Sequence, residues 1–197
     1  MKIVIIDYGA GNIQSIKFAF KRLGVKAVLS SNSDEIMNAD KVIFPGVGEA
    51  SSAMKKLEDS HLEKVIPILT QPVLGICLGM QLMCNSSEEG NTKGLGIFDT
   101  EVIKFTKKVK VPQIGWNQIT DLKSSLFHEV KEKDYIYLVH SYYAPICADT
   151  IAVSDYEKPY SSALRKNNFY GVQFHPEKSS STGEQILKNF LRINSND

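Results

Sequence analysis

The residues best suited to covalent chemistry are Cys77 and, far along the chain from it, the close pair His175 and Glu177. Cys77 stands in Gly75-Ile76-Cys77-Leu78-Gly79, between an apolar run and a helix-forming stretch from Met80 to Met83. This is the cysteine form of the G-x-S-x-G nucleophile elbow, a sharp strand-to-helix turn that lifts a nucleophile above a sheet edge. Glycines two positions to either side remove Cβ atoms that would collide in so tight a turn. The helix start beneath supplies free N–H groups and a positive dipole end, which favour a thiolate and stabilise an oxyanion. A buried structural cysteine in a tight turn would share the pattern. A thiol nucleophile also needs a base, and the base an orienting group. Phe174-His175-Pro176-Glu177 offers both, because residues i and i+2 of extended backbone share a side and Pro176 ends the strand and stiffens the turn. On its own such a His-x-Glu is commonly structural; beside a cysteine elbow it is a candidate base with its orienter. A third element, Pro45-Gly46-Val47-Gly48, could bring a backbone N–H toward the elbow. With the Leu78 N–H it would form a two-donor oxyanion hole, each donor contributing about 3 kcal/mol. An ordinary strand-to-helix turn would look the same.

The elements that must carry these groups alternate through the first half. Lys2–Asp7 is a short β-branched run suited to a strand buried on both faces. Asn12 precedes a helical pattern through Ile13, Ile16, Phe20 and Leu23, ended by Gly24. A strand at 25–29, a short helix from Ser33, a strand at 41–44 and a strand at 72–76 follow. This alternation implies a parallel sheet covered on both faces, with ligands at the carboxyl ends of its strands. In the second half, 100–106, 113–120, 135–139, 150–156, 160–165 and 169–174 read as further strands, several antiparallel, before a closing helix at 184–193. Cys84, two helical turns beyond Cys77, reads as a core residue of the elbow helix. The absence of linkers and repeats favours one domain spanning 1–197.

Composition excludes several classes. The net charge of +1 points to neither nucleic acid nor a membrane surface. No apolar run nears the ~20 residues of a membrane span, and Met1-Lys2 leads straight into a strand, so a cytosolic location is expected. Three cysteines without a CxxC pair, and four scattered histidines, argue against a disulfide framework and a metal site. Gly9-Ala10-Gly11 fails as a dinucleotide fingerprint because Gln14 stands where the third glycine belongs.

Together these blocks resemble the class I, or triad, glutamine amidotransferases, and within that class the glutaminase subunits of imidazole glycerol phosphate synthase. The resemblance rests on Asp7-Tyr8-Gly9-Ala10-Gly11-Asn12, Pro45-Gly46-Val47-Gly48, Gly75 to Gln81, Gly94-Leu95-Gly96, Gly115-Trp116-Asn117, His140-Ser141-Tyr142-Tyr143 and Gln173 to Ser180. It implies a flavodoxin-like three-layer α/β sandwich, with a mostly parallel central sheet, helices on both faces and a small antiparallel sheet. By position it implies Cys77 as nucleophile, His175 as base, Glu177 as orienter, and the amides of Val47 and Leu78 as oxyanion hole. Gly46, Gly48, Gln81, Glu89, Ser141 and Tyr142 fall on positions that hold substrate L-glutamine, Glu89 at its α-amino group and Ser141-Tyr142 at its carboxylate. Asn12, Trp116 and Lys178 fall on the face that docks a (β/α)₈-barrel cyclase, giving a heterodimer. One departure is Cys84-Asn85, where relatives commonly carry Phe-Glu. The implied reaction uses no cofactor or metal: Cys77, deprotonated by His175, attacks the glutamine amide, ammonia leaves, and water hydrolyses the thioester. A paralogous glutaminase serving another amidation, a regulatory scaffold without catalysis, and a cysteine peptidase on the same sheet are the competing readings.

Overall fold

The runs Ile3–Ile6, Lys41–Phe44 and Val73–Ile76 are buried at every residue, as strands covered on both faces must be. The computed structural model describes residues 1–9, 11–106 and 108–194; Ala10, inside the Asp7–Asn12 block, lies outside them. The first half contains β1 (Ile3–Ile6), α1 (Ile13–Arg22), β2 (Ala27–Ser30), α2 (Ser33–Met37), β3 (Lys41–Phe44), α3 (Ala50–Asp59), α4 (Leu62–Val65), β4 (Val73–Ile76) and α5 (Leu78–Leu82). Then come β5 (Cys84–Ser87), β6 (Thr92–Lys93), β7 (Phe98–Lys104), β8 (Gln113–Gln118), β9 (Tyr135–His140) and β10 (Tyr142–Tyr143). The chain closes with β11 (Thr150–Asp155), β12 (Pro159–Lys166), β13 (Phe169–Val172) and α6 (Ser180–Arg192).

Seven strands form the central sheet in the order β11-β12-β13-β4-β3-β1-β2. From β13 to β2 every pairing is parallel, and β12 and β11 add antiparallel strands at the β13 side. Read as β2-β1-β3-β4-β13, the parallel part has the flavodoxin-like order. Successive residues of these strands face opposite cores, as the pleat requires. Ile3, Ile5, Ile43 and Leu74 pack with Ile16 and Phe20 of α1 and with Ile186 and Phe190 of α6. Val4, Ile6, Val42 and Val73 pack with Ile36 of α2, Ala53 and Leu57 of α3 and Leu62 of α4. Each such large side chain contributes roughly 1.5–3 kcal/mol on burial. That packing holds α1 and α3, whose 10 residues each fall short of the ~12–15 an isolated helix needs.

Helix ends follow local chemistry. Gly24, at φ +75°, closes α1. The Val25 N–H reaches the Phe20 carbonyl and the Gly24 N–H the Lys21 carbonyl, the paired bonds of a Schellman motif. Asn32 caps α2 through the Glu35 N–H, and Glu49 caps α3 through the Ser51 and Ser52 N–H groups.

Two smaller sheets flank the carboxyl edge of the central one: a mixed sheet, β10-β7-β5-β6, and an antiparallel ribbon, β8-β9. Here one expectation is corrected. Cys84 does not continue the elbow helix; α5 stops at Leu82 and Cys84 opens β5. The Leu82 and Met83 carbonyls, which would have bonded further helical N–H groups, accept instead from Leu95 and Ile97. Cys84 is nonetheless a core residue. Among the described residues no helix is long and apolar enough to cross a membrane.

Candidate active site

Strand register brings the distant motifs together. Ile76 of β4 lies level with Val172 of β13, so Cys77 and the segment from Gln173 emerge side by side from the same edge. On the other flank of β4, β3 delivers Pro45 to Gly48 to that edge. The Cys77 N–H continues the ladder to the Val172 carbonyl at 2.8 Å, and its carbonyl accepts the Gln81 N–H at 3.2 Å to start α5. Cys77 is thus held between a strand and a helix at φ +54°, ψ −111°, a backbone region that only glycine enters freely and that costs about 1–3 kcal/mol otherwise. The close approach that imposes this turn is visible at Gly79, where an added Cβ would stand 2.0 Å from the Phe44 carbonyl oxygen. At Gly46 it would stand 2.7 Å from the Gly79 nitrogen. Tyr8 reaches over from the end of β1 and donates its hydroxyl to the Pro45 carbonyl at 2.8 Å, pinning the loop; burial raises its phenol pKa.

His175 and Glu177 leave β13 through a 3₁₀ turn, Pro176–Lys178, and both are almost wholly enclosed. His175 Nδ1 and Glu177 Oε1 are 2.9 Å apart, while Glu177 Oε2 is buried with no partner. The His175 backbone makes three hydrogen bonds: its N–H donates to the Tyr137 carbonyl (2.9 Å), and its carbonyl accepts the Ser179 hydroxyl (2.7 Å) and the Lys178 N–H (3.0 Å). Burial alone would lower the imidazole pKa. Hydrogen bonding and charge from Cys77 and Glu177 overcome it and raise the value to about 10, so the ring holds its proton at neutral pH beside the sulfur. With Nδ1 committed to Glu177, Nε2 is the nitrogen left to face the Cys77 sulfur.

These groups open onto a cavity of about 480 Å³, within the usual size for a small-molecule site. Asn12, Val47, Gly48, Leu78, Gln81, Glu89, Ser141, Tyr142 and Lys178 line it together with Cys77 and His175. Of the positions singled out from the sequence, three do not line it: Glu177, which meets the cavity only through His175, Gly46 and Trp116. Gly46 is packed beneath the elbow against Leu78 and Gly79. Trp116 projects from the β8–β9 ribbon, 54% exposed, edge-on to Tyr137 at 5.8 Å. Leu78 is the first residue of α5, so its N–H is among the free donors of a helix start.

Two further titratable residues of shifted pKa line the cavity, Glu89 and His140. The Glu89 carboxylate accepts the Ala50 N–H at 3.0 Å; burial, opposed by that bond and reinforced by the charge of Glu49, pushes its pKa upward. Such a carboxylate gains from an arriving ammonium group. His140, to which its motif assigns no separate role, lines the cavity. Its Nδ1 bonds the Tyr142 carbonyl at 2.7 Å, and its Nε2 faces Gln113 at 3.0 Å and the Tyr160 hydroxyl at 3.4 Å. Burial, against the Tyr142 bond and aided by the charge of His175, holds its pKa down to about 4, so it is neutral and fixes the Tyr142 carbonyl. The sequence assigns Gln173 no role of its own either. Its position directly before Phe174-His175 was the only available signal, and spacing alone does not reveal what a buried amide touches. Among the described residues no group of three or more His, Cys, Asp and Glu is placed to hold a metal ion.

The family model described as glutamine amidotransferase class-I matches residues 4–194. A curated protein of Bacteroides fragilis (strain YCH46), named imidazole glycerol phosphate synthase subunit HisH, is 55% identical over 196 residues, 98% of this chain and 100% of that protein. The protein of the same name from Pectobacterium atrosepticum is 46% identical over the same shares. A solved structure described as a glutamine amidotransferase is similar in fold, with a TM-score of 0.75 at 16% identity, covering 96% of this chain and 97% of that one.

Proposed function

Because the chain belongs to the class I glutamine amidotransferase family, we propose that it is the glutamine-hydrolysing subunit of an imidazole glycerol phosphate synthase in histidine biosynthesis. One observation carries the reading: a sulfur and a carboxylate both act on the enclosed, proton-holding imidazole of His175, at the floor of a cavity sized for an amino acid.

Glutamine enters with its α-ammonium at Glu89 and its carboxylate at Ser141 and Tyr142, which places the side-chain amide over Cys77. The thiolate attacks the amide carbon, and the Leu78 and Val47 N–H groups stabilise the oxyanion, each contributing about 3 kcal/mol. His175, already protonated, gives its proton to the departing ammonia, leaving a glutamyl thioester. It then takes a proton from water as that water attacks the thioester, and glutamate leaves. Glu177 holds the ring tautomer and stabilises the imidazolium throughout. The chain works as one subunit of a complex, its partner a (β/α)₈-barrel cyclase that receives the ammonia and forms imidazole glycerol phosphate and AICAR. The exposed Trp116, with Asn12 and Lys178 at the cavity mouth, forms the docking face, as an aromatic anchor beside a polar rim suits an interface.

Glutamate release from L-glutamine, measured for the chain alone and with the cyclase and its ligand, tests both parts. Slow hydrolysis alone, strong stimulation by the cyclase and loss of both in Cys77→Ala are expected. Hydrolysis persisting in Cys77→Ala would remove the triad; a cyclase that neither binds nor stimulates would remove the partner.

A further inference from the structure

The sulfur of Cys77 has polar neighbours beyond the triad. The Val139 carbonyl lies 3.8 Å from Sγ and can accept the thiol proton, but once the sulfur ionises that oxygen opposes it. The Nε2 of Gln173 also lies 3.8 Å from Sγ, in the interior of the molecule, and a donor there favours the ionised form.

A side-chain amide has a donor end and an acceptor end, and which end meets the sulfur decides its effect. Here the orientation follows from a backbone group that cannot reverse. The Tyr142 carbonyl can only accept, so the end of Gln81 that meets it at 2.9 Å is the NH₂ group. That same NH₂ lies 2.8 Å from the Gln173 amide, whose near end must therefore be the oxygen. The opposite end of Gln173, its own NH₂, is then the one aimed at Cys77. His140 holds the Tyr142 carbonyl in place from the other side. The fully buried Gln173 side chain is held in this orientation by the Gln81 NH₂ on its oxygen.

On the reading of Cys77 as the nucleophile, we infer that Gln173 is a hydrogen-bond donor to the Cys77 thiolate, its donor end aimed by an amide relay from the Tyr142 carbonyl through Gln81. The relay links the wall that receives the substrate carboxylate to the attacking atom. It complements His175, which supplies charge, with a neutral, directional donor that offsets the Val139 carbonyl.

The test is the pH dependence of Cys77 alkylation by iodoacetamide, followed at the Cys77 peptide by mass spectrometry, with no glutamine present so that substrate binding plays no part. Gln173→Met keeps length and burial but has no donor; Gln173→Glu keeps an acceptor for Gln81 and presents an acceptor to the sulfur. The alkylation midpoint should rise by about one pH unit in Gln173→Met, a tenfold loss of thiolate at fixed pH below it, and further in Gln173→Glu. Gln81→Met, which removes the aiming bond two residues from the sulfur along the relay, should raise it in the wild-type background and add nothing in Gln173→Met. Unchanged midpoints in both Gln173 variants would overturn the inference, and an unchanged midpoint in Gln81→Met would overturn the relay. Failure of the underlying reading has a different signature, glutamine hydrolysis surviving in Cys77→Ala. A purely structural role would lower the thermal midpoint while leaving the alkylation profile where it was.

Discussion

His175 Nδ1 and Glu177 Oε1 meet at 2.9 Å with their side chains only 6% and 1% exposed. The pair is one turn of chain, yet its imidazole interacts with a sulfur nearly a hundred residues away. Burial makes each charge costly alone, and mutual contact makes the set tolerable. The behaviour of this pair with pH follows directly.

His175 has its pKa raised to about 10 in the folded protein, above the ordinary 6.5. The stability this proton contributes is complete below pH 6.5 and is lost as the pH rises through about 10. In urea titrations between pH 6.5 and 10, the wild-type protein should lose more stability than His175→Gln; parallel curves would contradict the assignment. Glu177→Gln should lower kcat by about 10²- to 10⁴-fold and move the alkaline limb of the rate profile.

His140 behaves in the opposite sense. Its folded pKa is depressed to about 4, so as the pH falls below 6.5 the unfolded chain binds a proton that the native state refuses. Acid should therefore destabilise the wild type between pH 6.5 and 4, by on the order of a few kcal/mol. His140→Asn should be less stable at neutral pH but show a shallower acid slope. Equal slopes would show that His140 is not held neutral.

The strained turn at Cys77 gives a stability test separable from catalysis. At φ +54°, Cys77→Gly should be more stable than Cys77→Ala by about 1 kcal/mol, although both lack the nucleophile and hydrolyse no glutamine. Urea denaturation of the two variants measures the difference.

Glycine tolerance should differ sharply between two sites. Gly79→Ala sets a Cβ 2.0 Å from a backbone oxygen and should cost more than about 3 kcal/mol. Gly24→Ala meets nothing within 4 Å and should cost only about 1 kcal/mol, the penalty of its positive φ. Thermal unfolding of both resolves the contrast; similar midpoints would sink the close-packing account of the elbow.

Particular residues show how much was legible beforehand. The turn at Gly75–Gly79, the end of α1 at Gly24 and the break at Pro45–Gly48 depend on glycine and proline, whose restrictions act within a few residues and so are written locally. The strands β1, β3 and β4 were equally plain, because burial on both faces demands an unbroken buried run. Cys84 was misplaced, since whether α5 continued or stopped depended on N–H groups from Leu95 and Ile97 competing for its carbonyls. The short β10 also escaped notice: its two residues carry too little pattern.

The sequence by itself determined the chemical types available, a thiol on an elbow and an imidazole two residues from a carboxylate, because these follow from identity and near spacing. Only the tertiary structure decided that β13 lies beside β4 in a register that sets Gln173 and His175 against Cys77. It alone decided that His140 is buried neutral and that the Gln81 NH₂ holds the Gln173 oxygen, leaving the Gln173 NH₂ to face the sulfur. Strand order, burial and hydrogen-bond polarity arise from contacts between segments far apart in the chain, and no local spacing encodes them.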